Sequence, residues 1–276
     1  MNKSIRLFIK EGIINKNIDI NTLIDKAKKE YKNNGFFIAK NLIDESCYQE
    51  CRRLALDYFI NLRRNENNIK LPYALRGDVP AGMKDFVGFT DNKSWNLYRY
   101  CHFPWNRADP SLKILFDTSF ALSQIRNIFN GNDISYGELI EDNDYITYSS
   151  LSLYPPEGGF LKKHKDHQPT HKNPSLLHTK IELTHKGSDY NDGGFYVYDR
   201  SCNKIDISSL INPGDVIFFD GTQSHQIDPI KNSEFGRIAL FDIPTYVRKT
   251  SRLNIYSGDG FSSARKILTK FANILP

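Results

Sequence analysis

The chain has 276 residues, of which 39% are hydrophobic and 25% charged, and its 37 Lys plus Arg against 32 Asp plus Glu leave a formal net charge of +5. That length supports a sizeable core without disulfides or structural metals, and the composition excludes disordered, collagen-like and coiled-coil chains. The basic excess is small and its clusters, 26–32, 63–66 and 162–166, mix both signs, which disfavours a nucleic-acid surface.

The first residues break every apolar run with a charge, unlike a signal peptide. The longest apolar runs, such as 216–219, fall far short of the roughly 20 residues that a membrane helix needs. Cys47, Cys51, Cys101 and Cys202 are too sparse for a disulfide framework, and the C-x-x-x-C spacing of the first two fits neither zinc nor redox motifs. The expectation is a reduced, cytoplasmic protein with buried thiols.

In chain order, Leu23, Ile24, Ala27 and Tyr31 keep helical spacing over 21–34, with Asn21 as cap and Gly35 as stop. Residues 36–39 predict a buried strand, and Asp44-Glu45 opens a helix through Cys51, Leu54, Ala55, Tyr58, Phe59 and Leu62. Residues 65–110 carry Gly, Pro and an aromatic run from Trp95 to Trp105, and read as a long functional insertion or lid. Asp109-Pro110 then caps a helix running to Gly131. Strands are expected over 145–154, 177–184, 194–199, 216–220 and 237–243, and a last helix over 262–274. Short strands joined by turns predict a mainly β chain with flanking helices, as a sandwich or jelly roll. The division is one domain over 1–276: a helical part and insertion to about 140, then a core over about 141–248.

Five of the seven histidines lie between His164 and His185. In His164-Lys165-Asp166 an imidazole and a carboxylate stand two apart, so at a strand end both face one side. His225 follows the 216–220 strand through a short turn and offers a third ligand. Two imidazoles and one carboxylate suit non-haem Fe(II) and leave positions open for substrate and oxygen. Downstream, Arg237 opens a strand and is suited to a buried carboxylate, because its fork is rigid and stays charged.

Taken with Gly35-Phe36-Phe37-Ile38, Tyr154-Pro155-Pro156-Glu157-Gly158-Gly159-Phe160, Gly193-Gly194-Phe195, residues 213–219 and Gly236-Arg237, the chain resembles the Fe(II)/2-oxoglutarate-dependent oxygenases of the phytanoyl-CoA hydroxylase and prolyl hydroxylase-like type. The resemblance implies a double-stranded β-helix of the cupin-like jelly-roll class. It implies Fe(II) held by His164, Asp166 and His225, with 2-oxoglutarate and O2 as co-substrates. Arg237 would take the distal carboxylate of 2-oxoglutarate, and Tyr154 would hydrogen-bond the same molecule. The implied reaction releases succinate and CO2 and hydroxylates a small molecule such as an amino acid or biosynthetic intermediate. Asp166 disfavours halogenation, whereas desaturation, epimerisation and cyclisation use the same triad.

Further candidates concern the substrate. Glu182 alternates with Ile181 and Leu183, so it faces either the interior, where it would bind a cationic substrate, or solvent. Arg76, Arg99, His102 and Trp105 lie in the insertion and are candidates for substrate recognition or for packing. His167, also a substrate candidate, and His171, His178 and His185 are expected on the solvent or substrate side. Two other readings stand beside the small-molecule oxygenase: a cupin-like metal-binding or sensor protein, and an oxygenase acting on protein or nucleic acid.

Overall fold

A computed structural model describes residues 3–64, 79–137, 145–166 and 177–248. The helix expected over 262–274 lies outside the described residues, as do Arg76, His167 and His171.

Helix α1 (Lys3–Lys10) has no counterpart in the sequence reading. Helix α2 (Ile20–Asn34) starts at Asp19 rather than Asn21, because the Asp19 carboxylate accepts the Asn21 N–H at 3.1 Å. It stops at Gly35, where φ is 77°. Helix α3 (Glu45–Arg64) buries Cys47, Cys51, Ala55 and Phe59, one stripe at every fourth residue. That stripe accounts for the cysteine spacing, since both thiols pack against Thr118 Oγ1. Cys101 is buried as well, whereas Cys202, expected inside, is exposed in a turn at φ 65°. Asp109 caps a single 3-10 turn (Pro110–Leu112) that leads into α4 (Lys113–Asn130), which ends at Gly131.

The strands are β1 (Phe36–Ala39), β2 (Val79–Pro80), β3 (Phe86–Asp91), β4 (Trp95–His102), β5 (Tyr145–Tyr154), β6 (Phe160–His164), β7 (Leu177–Glu182), β8 (Tyr190–Tyr198), β9 (Lys204–Asp206), β10 (Val216–Asp220), β11 (His225–Ser233) and β12 (Arg237–Arg248). Their order is β1-β10-β7-β12-β5-β4-β6-β11-β8-β9, with β3 on β4 and β2 parallel to β12. The sheet folds over itself: the Phe195 ring of β8 meets Phe219 of β10 at 5.2 Å and lies 3.1 Å from Lys180 Nζ of β7. This is the expected jelly roll.

The stretch read as an irregular insertion or lid is partly sheet, with β3 and β4 as a hairpin and β4 paired to β5 from Tyr98↔Leu153 to His102↔Ser149. Both faces of β4 are covered, Leu97 and Cys101 on one side and Tyr98 and Tyr100 on the other. The aromatic run therefore lacks the polar alternation that marks a half-buried strand.

Period-two alternation divides the central strands. Leu151, Leu153, Ile181, Ile238 and Leu240 join the core beneath the helices. Residues of opposite parity face the other way, and their register matters most for function. Arg237 lies opposite Tyr154, Ala239 opposite Ser152 and Glu182, and Phe241 opposite Ser150 and Lys180.

Gly236 controls the entry to β12. Its φ is 92°, and a Cβ there would lie 2.3 Å from the Tyr154 carbonyl oxygen, which is backbone and cannot swing aside. Gly236→Ala is expected to cost about 2 kcal/mol, since the left-handed conformation alone costs about 1–2 kcal/mol. Urea denaturation measures it, and a loss below about 0.5 kcal/mol would refute the strain argument.

Candidate functional site

Pairing of β6 with β11 sets His164 opposite His225. Asp166 lies just past β6, and its N–H donates to the Gly221 carbonyl at 2.8 Å, tying it to the turn before β11. The ligand atoms of these three residues lie within 4.8 Å of one another. Asp166 is 3.8 Å from His164 Nε2 through Oδ1 and 3.7 Å from His225 Nε2 through Oδ2.

Each imidazole is oriented from behind. His164 Nδ1 meets the Lys162 carbonyl at 2.8 Å and His225 Nδ1 meets the Gln223 carbonyl at 2.9 Å. A carbonyl only accepts, so both Nδ1 atoms carry the proton and both Nε2 lone pairs face Asp166. Burial, helped by the neighbouring His164, pushes His225 down to about 3, so it is neutral at pH 7. Asp166 Oδ2 is buried without a hydrogen bond. Two convergent lone pairs and an orphaned carboxylate oxygen are the donor set of a cation site.

His178, expected on the solvent or substrate side, is instead buried, with Nε2 3.3 Å from Asp166 Oδ2 but not aligned for a hydrogen bond. Burial pushes it down to about 4, so it too is neutral at pH 7. His185 is also engaged, its Nε2 lying 2.5 Å from Tyr48 Oη.

Deeper in the barrel, Glu182 faces the interior, and the cations it meets are the chain's own. Its Oε1 accepts from Lys180 Nζ at 2.6 Å and from Arg237 Nη2. Lys180, Glu182 and Arg237 are 0%, 2% and 0% exposed. Burial alone would raise the Glu182 carboxyl, but Arg237 and Lys180 outweigh it and hold it below its ordinary value. Burial drives the Lys180 ammonium well down against the pull of Glu182. Arg237 Nε and Nη1, Glu182 Oε2 and Tyr190 Oη remain without hydrogen bonds. The Tyr154 ring centroid is 5.1 Å from the Arg237 guanidinium carbon, and burial raises the Tyr154 pKa.

Sequence reasoning missed Lys180 and His178. Both share the parity of Glu182 on β7, so they face inward once Glu182 does, but the sequence left that face open.

Of the insertion residues, Arg99 lies abreast of Ser152 and has a buried Nε without a hydrogen bond. His102 Nδ1 contacts Asp85 Oδ2 at 2.5 Å and its ring stacks on Phe116, while Trp105 Nε1 donates to the Met83 carbonyl at 2.7 Å. These partners give His102 and Trp105 packing roles.

A prolyl hydroxylase from Trichoplax adhaerens, in complex with a hypoxia inducible factor oxygen degradation domain peptide fragment, superposes with a TM-score of 0.54 at 15% identity, over 82% of this chain and 90% of its own. The fold is that of the 2-oxoglutarate–Fe(II) oxygenases. A Caulobacter crescentus protein described as belonging to the 2OG-Fe(II) oxygenase family matches with a TM-score of 0.50 at 12% identity, over 91% of this chain and 95% of that one. AviO1 from Streptomyces viridochromogenes Tue57 superposes with a TM-score of 0.53 at 13% identity over 83% of this chain and 96% of its own. No family model and no curated protein matches the sequence.

Proposed function

We propose that the chain is a single-domain, cytoplasmic Fe(II)- and 2-oxoglutarate-dependent oxygenase that hydroxylates an unactivated C–H of a small molecule. The observation that carries this reading is the convergence of His164 Nε2, His225 Nε2 and the Asp166 carboxylate, in the same barrel as a buried Arg237 guanidinium whose Nε and Nη1 have no hydrogen bonds. Among the described residues no helix is long and apolar enough to cross a membrane. The Trichoplax relative is complexed with a peptide, which makes a protein substrate the second reading.

In this reading His164, Asp166 and His225 hold Fe(II), which suits two neutral imidazoles and one carboxylate. Bound there with 2-oxoglutarate and O2, Fe(II) supplies the redox chemistry that yields succinate, CO2 and an oxidised substrate. The protein's own part is positioning. The Lys162 and Gln223 carbonyls lock the imidazole tautomers. Phe195 and Phe219 pack around His225, with ring centroids 6.4 and 5.2 Å away, and exclude water from that side. Arg237 would donate a free N–H to the distal carboxylate.

An anaerobic titration of metal-free protein with Fe(II) and 2-oxoglutarate is expected to produce a visible metal-to-ligand charge-transfer band. Arg237→Ala is expected to need at least about tenfold more 2-oxoglutarate for half the amplitude, the loss of one charge-assisted contact. Bound iron without a band would overturn the oxygenase reading in favour of a cupin-like metal protein.

A further inference from the structure

The buried cluster inside the barrel has more basic groups than carboxylates. Lys180 and Arg237 are the basic groups, and Glu182 is the one carboxylate paired with them among the described residues. A buried cation without compensation is costly, which is why burial drives the Lys180 ammonium down, and the charged form of Lys180 leaves the cluster short of one anion. Arg237 Nε and Nη1 have no hydrogen bonds and Glu182 engages the guanidinium only through Nη2, so donors remain for a further anion. Lys180 has its own unspent capacity: its ammonium donates to Glu182 and otherwise rests 3.1 Å from the Phe195 ring centroid.

We propose that Glu182 is a fixed counter-anion that sets the co-substrate pocket to accept one singly charged carboxylate. The proposal rests on the co-substrate reading above and adds a residue to it. With the distal carboxylate of 2-oxoglutarate in place, two cations face two carboxylates and the cluster is neutral. An arriving carboxylate also favours the charged form of Lys180. Glu182 has a cost and a use. It shares both basic groups with the incoming carboxylate and repels it, which weakens binding, and before that group arrives it offsets the buried guanidinium. Without Glu182 the pocket would carry one positive charge too many for a single carboxylate and would bind that group more tightly.

The test is a charge series read by the anaerobic Fe(II)–2-oxoglutarate band, which measures binding apart from turnover. Relative to the wild type, Glu182→Gln is expected to tighten 2-oxoglutarate binding at least about tenfold and Lys180→Met to weaken it by at least about tenfold, as a charge at contact distance in a buried site requires. The double variant Lys180→Met/Glu182→Gln restores the original charge and is expected to return within about threefold of the wild type. The probe 2-oxopentanoate has the same chain length with a methyl in place of the distal carboxylate, and is expected to bind all four proteins alike. Equal or weaker 2-oxoglutarate binding by Glu182→Gln would overturn the proposal, as would a double variant no tighter than Lys180→Met. That second comparison decides the matter even if Glu182→Gln alone does not fold. A wild type that binds iron but not 2-oxoglutarate would instead overturn the co-substrate reading itself.

Discussion

Replacing His225 with alanine is expected to weaken Fe(II) binding by at least about a thousandfold and to abolish the charge-transfer band, because groups that merely orient a metal ligand already cost about 10–100-fold when removed. His225 is the most buried of the three ligand candidates, with a side chain 6% exposed against 34% for both His164 and Asp166. A deep ligand is not replaced by water without a polar partner, and the aromatic rings of Phe195 and Phe219 supply none. Fold stability is expected to survive, since the cavity left by a neutral imidazole costs a few kcal/mol, on the scale of other large-to-small core changes. The measurement is an equilibrium Fe(II) titration under anaerobic conditions, with circular dichroism as the check on folding. A folded His225→Ala protein that bound Fe(II) with wild-type affinity would remove His225 from the metal site.

Much of the architecture was legible in local chemistry. Gly35 and Gly131 ended their helices as expected because a helix stop needs a left-handed residue, which glycine adopts freely. The strand over 145–154 was legible to the residue, since turn signals bound an unbroken β-forming run. The hairpin of β3 and β4 was not, because its faces are both covered and hydrophobicity does not alternate along it.

The site divides in the same way. That His164 and Asp166 share a face could be read from their spacing at a strand end, whereas it is the β6–β11 register that brings His225 to them. Lys180 could not be read in this way, because a lysine in a strand is ordinarily a sign of the solvent face. Here the inward face of β7 carries His178, Lys180 and Glu182, and the apolar Leu177 and Ile181 point to the helices instead. A barrel whose interior holds ions inverts the usual pattern of polar outside and apolar inside.

The helix side of the same sheet carries a second buried ion pair, Arg126 of α4 with Asp242 of β12, and removing one partner is expected to destabilise the fold strongly. Their side chains are 0% and 3% exposed, so Arg126→Met alone or Asp242→Leu alone leaves an uncompensated buried charge costing about 3–5 kcal/mol. The pair is nonetheless poorly satisfied, since Arg126 Nε and Nη2 have no hydrogen bonds. Replacing both partners removes that desolvation cost together with the attraction, so Arg126→Met/Asp242→Leu is expected to lie within about 1 kcal/mol of the wild type or above it. Burial raises the Asp242 carboxyl to about 6 from 3.8, with Arg126 opposing. The folded state therefore keeps this proton over a range in which the unfolded chain has released it, and the contribution of Asp242 to stability falls as pH rises from about 4 to 6. Urea denaturation across that range is expected to show this downward contribution in the wild type and its absence in the double variant. Additive losses, with the double variant as unstable as the two single changes combined, would mean that the two side chains stabilise the α4–β12 contact independently and not as a pair.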